Sequence, residues 1–319
     1  MASSGPHKHP SHVAYIVKSL FGGDPLSAEE RKGRRFIPLS ERVYAAPDQY
    51  VTLSSGRVCY IEKGQGEPLI LLHGLGANVG RWTDTVNALA KQYRVFAYDL
   101  PGFGKSDKKP HAYSIPFMLK ALEEFIAALN LEAPILVGHS MGGAVVLEYL
   151  LKHPKHVCPT VVVSPAGIRH SHGVIGRILG SLLLKAPFSQ RVVPRALGRC
   201  AFQRTEPVLD MVFQASHADQ DPQWSALKRA ITSATRYLLA YSVQSRLAGI
   251  KTPLLVIWGE EDTLQAPHLA LEMHQHIPLA RIAMLAACGH YPMMEKPDEF
   301  NHIILEFLAG AEYIEGCEH

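Results

Sequence analysis

Residues 135–150, ILVGHSMGGAVVLEYL, run from an apolar stretch into a serine set among glycines, then into apolar residues at helical spacing. The order Gly138-His139-Ser140-Met141-Gly142 is a G-x-S-x-G sequence, and Gly143 adds a further small residue. A serine so placed suits one chemistry above others, nucleophilic attack on a carbonyl. It must sit on a sharp strand-to-helix turn, whose strained backbone leaves its neighbours no room for side chains. The helix that follows aims backbone N–H groups and a positive dipole end at negative charge developing on the substrate.

A hydroxyl is a weak nucleophile until a base takes its proton, so Ser140 calls for a histidine and an acid elsewhere in the chain. Asp262 follows the apolar run LLVIWGEED, and His290 follows ARIAMLAACGH. The expected roles are nucleophile for Ser140, general base and then acid for His290, and support of the imidazolium for Asp262. Glu260 and Glu261 stay open as alternative acids. The stretch LLHGLGANVGRW at 71–82 leaves an apolar run through His73-Gly74. A turn there presents the N–H of Leu75 to the oxygen that the N–H of Met141 also reaches, forming an oxyanion hole. His73 itself reads as a structural residue of that turn. Of the 17 histidines, His7, His9 and His12 fall in the N-terminal arm, and His274 and His276 on a helix surface. That H-x-H pair has no acidic cluster beside it, so no metal is expected, and the chemistry needs no cofactor.

These groups need a scaffold that brings several strand ends together. YVTL and RVCYIEKG alternate around Ser54, Ser55 and Gly56, which predicts an antiparallel hairpin. PLILLHG, YRVFAYDLPG, APILVGHS and PTVVVSPAG follow as short apolar runs separated by helix-length segments such as 114–129 and 141–153. This is the pattern of buried parallel strands. It resumes with TPLLVIWGEED and ARIAMLAACGH and closes with a helix near 297–310. Residues 168–248 contain no convincing strand and read as an all-helical insertion. The expected division is an N-terminal arm over 1–48, a core over 49–167 and 249–319, and a helical cap over 168–248.

Taken in order, HGLG, DLPGFGKSD, GHSMGG, WGEEDTLQAP and CGHYPMMEKPDEF resemble the α/β-hydrolase superfamily over roughly residues 49–312. The resemblance implies an eight-stranded, mostly parallel sheet with helices on both faces and a cap inserted after the sixth strand. It also implies the chain order nucleophile, acid, histidine, met here by Ser140, Asp262 and His290. GHSMGG and SPAGI look most like capped carboxylesterases and monoacylglycerol-lipase-like enzymes. Carbon–carbon bond hydrolases of aromatic catabolism match less well, since they often carry Asn where His139 stands. Epoxide hydrolases and haloalkane dehalogenases use Asp at the position of Ser140.

The expected function is therefore hydrolysis of carboxylic esters, acyl or lipid-like, through an acyl-enzyme on Ser140, with a small-molecule ester as the partner. The alternatives are a carbon–carbon bond hydrolase of meta-cleavage products and a non-catalytic ligand-binding homologue. At 319 residues and 47% hydrophobic, the chain can bury a large core. Charged residues make up 19% and the net charge is +3; the basic residues do not interleave with aromatics, so no nucleic-acid partner is expected. Five cysteines without a CxxC pair fit free thiols, and no signal peptide or bilayer-spanning run is read, so a cytoplasmic location is expected. Residues 168–250 hold eleven Lys and Arg against four acids, a net +7 that leaves −4 for the remainder. Arg177 and Lys185 flank the apolar run ILGSLLL, and their sharper reading is a weak, peripheral contact of the cap with an anionic membrane surface.

Overall fold

Alternate residues of each central strand turn to opposite faces of one sheet, and each face buries its own apolar layer. Ile70, Leu72, Phe96, Leu136 and Val256 share one layer with helix residues Met118, Leu122, Val145 and Met273. Leu69, Leu71, Val95, Val137 and Ile257 share the other with Val86, Phe300 and Ile304. The structure, a computed structural model, describes residues 26–168, 198, 200–277 and 279–311. The expectations for His7, His9 and His12 and for a membrane contact through Arg177, Lys185 and the run ILGSLLL lie outside the described residues.

The sheet has eight strands: β1 (Gln49–Leu53), β2 (Gly56–Lys63), β3 (Pro68–Leu72), β4 (Arg94–Tyr98), β5 (Ile135–His139), β6 (Thr160–Val163), β7 (Leu254–Gly259) and β8 (Ala280–Leu285). Their spatial order is β1-β2-β4-β3-β5-β6-β7-β8. β1 pairs antiparallel with β2, and β2 with β4; all later pairings are parallel. This is the mostly parallel α/β architecture expected, with the predicted hairpin at its edge. The chain moves from β3 outward to β4, then returns to place β5 on the other side of β3. The carboxyl ends of β3 and β5 therefore flank the point where the winding reverses, which is where open α/β sheets bind ligands.

The helices are α1 (Ala28–Arg31), α2 (Thr83–Leu89), α3 (Ile115–Ala128), α4 (Met141–Lys152), α5 (Glu206–Ser216), α6 (Trp224–Ala240), α7 (His268–His276), α8 (Pro292–Glu295) and α9 (Pro297–Ala311). Local chemistry sets their ends: the Ser114 hydroxyl accepts from the N–H of Phe117 at the start of α3, and Asn130 takes a φ of 50° just beyond its end. Helices α5 and α6 lie between β6 and β7, so the described part of the insertion is helical. Among the described residues, no helix is long and apolar enough to cross a membrane.

Residues 26–48 pack against the insertion. Arg34 forms a double hydrogen bond with Glu206 at 2.6 and 2.7 Å, and Arg204 donates to Glu30 at 2.6 Å. The N–H groups of Ile37 and Leu39 donate to Gln214 and Asp221. The buried carboxylate of Asp221 and the amide of Gln214 thus tie the chain's start to the region between β6 and β7.

Candidate active site

Ser140 joins β5 to α4 with φ 52° and ψ −113°, a left-handed conformation that costs a non-glycine residue of order 1–3 kcal/mol. The glycines around it are required by close approach. A Cβ on Gly138 would stand 2.5 Å from the carbonyl oxygen of Gly142, and one on Gly142 would stand 2.3 Å from that of Leu72. The Ser140 N–H donates to Val163 O on β6, and Ser140 O accepts from Ala144 and Ala166, so the strained turn is held from three sides.

His290 and Asp262 meet. The Nδ1–H of His290 donates to Oδ2 of Asp262 at 2.7 Å, and both side chains are almost wholly buried. The other carboxylate oxygen, Oδ1, accepts from the N–H groups of Leu264 and Gln265 at 2.8 and 2.9 Å, which fixes the carboxylate plane. With a proton on Nδ1, neutral His290 keeps Nε2 as an acceptor. Glu260 and Glu261, the competing acids, are exposed, so of the three only Asp262 reaches His290.

The loop carrying His290 is held by bonds to its main chain. The Nε2–H of His139 donates to the His290 carbonyl at 2.8 Å, linking the residue before Ser140 to the loop of His290. Burial and the nearby His290 hold the His139 pKa well below the usual histidine value, so His139 is a neutral donor. The His290 N–H donates to Cys200 O at 2.7 Å. On the far side lies the buried carboxylate of Glu295. Its Oε2 accepts from Gly289, Phe202 and Gln203 at 2.8–2.9 Å, and its Oε1 accepts from Tyr291 at 2.9 Å. Glu295 lies within CGHYPMMEKPDEF, where its sequence position alone suggests no role. The available signal was a lone acid five residues after His290, directly behind the largely apolar YPMM.

Leu75 follows β3 and lines the same cavity as Ser140 and His290. Met141 opens α4, so its N–H has no acceptor inside the helix. His73 has the structural part expected of it. Its Nδ1–H donates to Gly74 O, and its Nε2 accepts from the N–H of Leu100, tying the ends of β3 and β4 together. Burial lowers it to about 4, which keeps it neutral. His274 and His276 are exposed on α7 and bond to backbone carbonyls.

The cavity has a volume of about 360 Å³. Its apolar wall includes Leu227, Ile231, Leu238 and Leu239 of α6 and Met211 of α5. On α5, Val208, Val212 and Phe213 pack inward, because the helix is amphipathic and turns that face to the core. Arg81, within LLHGLGANVGRW, also lines the cavity, a place its sequence position alone does not reveal.

The family model described as the alpha/beta hydrolase fold matches residues 67–297. The chain is similar to a 2-hydroxy-6-oxo-6-phenylhexa-2,4-dienoate hydrolase of Burkholderia cepacia, 30% identical over 267 residues that cover 81% of this chain and 93% of that protein. In structure it is similar to a meta-cleavage product hydrolase from Pseudomonas fluorescens, at 25% identity and a TM-score of 0.69, covering 82% of this chain and 98% of that one. It is also similar to an esterase from Exiguobacterium antarcticum, at 21% identity and a TM-score of 0.73, covering 82% and 99%. Sheet order, strained serine turn and family match agree: the chain belongs to the α/β-hydrolase family and is a hydrolase enzyme.

Proposed function

We propose that the protein hydrolyses carboxylic esters through an acyl-enzyme on Ser140, with His290 and Asp262 completing a catalytic triad. The observation that carries this reading is the buried 2.7 Å bond from His290 to Asp262, opening on the same cavity as the strained Ser140 turn. In the first half-reaction Nε2 of His290 takes the proton of Ser140 Oγ as the oxygen attacks the ester carbonyl. The N–H groups of Leu75 and Met141 stabilise the resulting oxyanion. The imidazolium, supported by the Asp262 carboxylate, then protonates the departing alcohol. Water repeats the sequence on the acyl-enzyme, with His290 again the base, and releases the acid. The apolar wall from α6 suits the hydrocarbon part of the substrate, and residues 168–248 serve as the cap over it.

A second reading, carbon–carbon bond hydrolysis of a dienoic ring-cleavage product, is favoured by the similarity to the Burkholderia enzyme. His139 weighs the other way, since such enzymes often carry Asn at that position. The test sets a chain-length series of p-nitrophenyl esters beside a dienoic ring-cleavage product. Efficient turnover of the esters supports the first reading, and strong preference for the dienoate replaces it with the second. In either case Ser140→Ala is expected to lower kcat by about 10⁴ or more. Retention of a tenth of the activity, or failure of a fluorophosphonate to label the wild type, removes Ser140 as nucleophile.

A further inference from the structure

Arg81 lies in the turn Val79–Trp82, a few residues beyond the proposed oxyanion turn. Its position is fixed by Trp82, which is fully buried and packs edge-on against His139, the residue before Ser140, with ring centroids 6.5 Å apart. The guanidinium lies deep in the protein, yet keeps exposed surface where it lines the cavity shared by Ser140 and His290. It is close enough to act electrostatically on both His73 and His139.

This cation has no carboxylate partner among the described residues. An arginine carries five N–H donors, and the hydrogen bond formed by the Arg81 side chain is a weak one, from Nη1 to the sulfur of Met294 at 3.8 Å. The acids nearby are committed or distant. Asp221 lines the cavity and uses one oxygen on the Leu39 N–H and the other on the Gln223 N–H. Asp219 is exposed, and Asp210 acts on Arg81 electrostatically, with its side chain accepting from Gln214. The second cation on the cavity wall, Arg42, donates to Ile37 O and Gln214 Oε1 and repels Arg81. Residues 169–197 carry Arg169, Arg177, Lys185, Arg191 and Arg195 and no Asp or Glu, so that stretch has no carboxylate to offer. Burial lowers Arg81 to about 10, which leaves it charged at neutral pH.

An enclosed cation without a carboxylate partner among the described residues is costly to withdraw from water. The same enclosure strengthens its attraction for an anion that arrives with a ligand, and the guanidinium fork matches a carboxylate in geometry. We infer that the preferred ester carries a carboxylate, held by Arg81 while Ser140 attacks the ester carbonyl, so that the substrates are half-esters of short dicarboxylic acids or esters of comparable charge. The inference rests on the reading of Ser140 as the nucleophile of an ester hydrolase. Arg81 is then a specificity-determining residue that touches the substrate away from the reacting bond.

The test compares mono-p-nitrophenyl adipate with p-nitrophenyl hexanoate, acyl chains of equal length that differ in a terminal carboxylate. A third arm uses the ester of a chain ending in phosphate. The wild type is expected to favour the adipate half-ester by tenfold or more in kcat/KM. Arg81→Met is expected to shrink that ratio at least tenfold, chiefly through KM, and Arg81→Lys to keep part of it. A wild-type ratio of one or less, or an undiminished ratio in Arg81→Met, overturns the assignment. Preference for the phosphate-bearing ester overturns the choice of carboxylate. Should the Met variant not fold, the wild-type ratio and a reduced ratio in Arg81→Lys decide the matter. Inert esters together with an unlabelled Ser140 would defeat the ester reading itself; hexanoate turnover without an adipate preference defeats only the role of Arg81.

Discussion

Glu295 gives the sharpest test of how the loop of the base is held. Its carboxylate is 3% exposed and accepts four main-chain N–H bonds, from Gly289, Tyr291, Phe202 and Gln203. Two of these flank His290 and two belong to the insertion between β6 and β7, so one side chain joins the His290 loop to that insertion. In Glu295→Gln the single remaining oxygen can serve the three donors at the Oε2 position. The amide nitrogen then faces the Tyr291 N–H, donor against donor. One buried N–H without a partner costs about 1–3 kcal/mol, and the loss of charge weakens the three bonds that stay. The expected destabilisation is about 3 kcal/mol, read as a lower urea midpoint at unchanged slope. Because Tyr291 adjoins His290, kcat on a p-nitrophenyl ester is expected to fall tenfold or more while KM changes little. Glu299→Gln is the control. That side chain is half-exposed, pairs with Lys296 at 2.9 Å and lies on α9 just beyond, and its loss is expected to cost no more than about 1 kcal/mol. A Glu295→Gln protein with wild-type midpoint and kcat would refute the argument.

Two further outcomes follow from the geometry. Asp262→Asn is expected to lower kcat by a factor of about 10³ or more, because a neutral partner cannot stabilise the imidazolium and its amide favours the wrong tautomer, whereas exposed Glu261→Gln should stay near wild type; equal losses in steady-state assays of the two would undo the assignment of the acid. Acid should destabilise the fold between pH 6.5 and 4. His73 and His156 are lowered to about 4 and His139 is lowered as well, all chiefly by burial, so the unfolded chain takes up their protons first and their stabilisation, full above 6.5, is lost as pH falls. Buried Asp99, raised to about 6, acts in the opposite sense over its own range, from its ordinary value up to 6. Three histidines outweigh one carboxyl, so stability should fall by on the order of a kcal/mol or more per pH unit near pH 5; a urea midpoint that is flat or rises on acidification contradicts this.

The parts of the fold readable in the sequence were those governed by local pattern. The hairpin of β1 and β2 follows from alternation around Ser54, Ser55 and Gly56, and α3 and α4 begin and end within a residue or two of the predicted 114–129 and 141–153. The Ser140 turn was legible because Gly138 and Gly142 are demanded by backbone oxygens less than 3 Å from where a side chain would start. The exchange that seats β4 outside β3 was not, since both strands are short apolar runs and nothing local distinguishes their places. Nor was the packing of residues 26–48 on the insertion, which depends on Asp221 and Gln214 more than 170 positions away. Glu295 and Arg81 were overlooked for the same reason: each looks like an ordinary surface charge until the chain's distant parts enclose it.

The way those distant parts meet bears on how the candidate site is kept in order. Ser140, Asp262 and His290 come from three separate loops, and a rigid sheet alone fixes only where each loop begins. What aligns them is a set of bonds from side chains to main chain: His139 to the His290 carbonyl, Glu295 to Gly289 and Tyr291, and Asp262 to Leu264 and Gln265. The His290 N–H adds a main-chain bond to Cys200, within the insertion. His290 is therefore anchored twice to the region between β6 and β7, through Cys200 and through the Glu295 contacts with Phe202 and Gln203. Any displacement of residues 200–203 must strain or break bonds that hold His290.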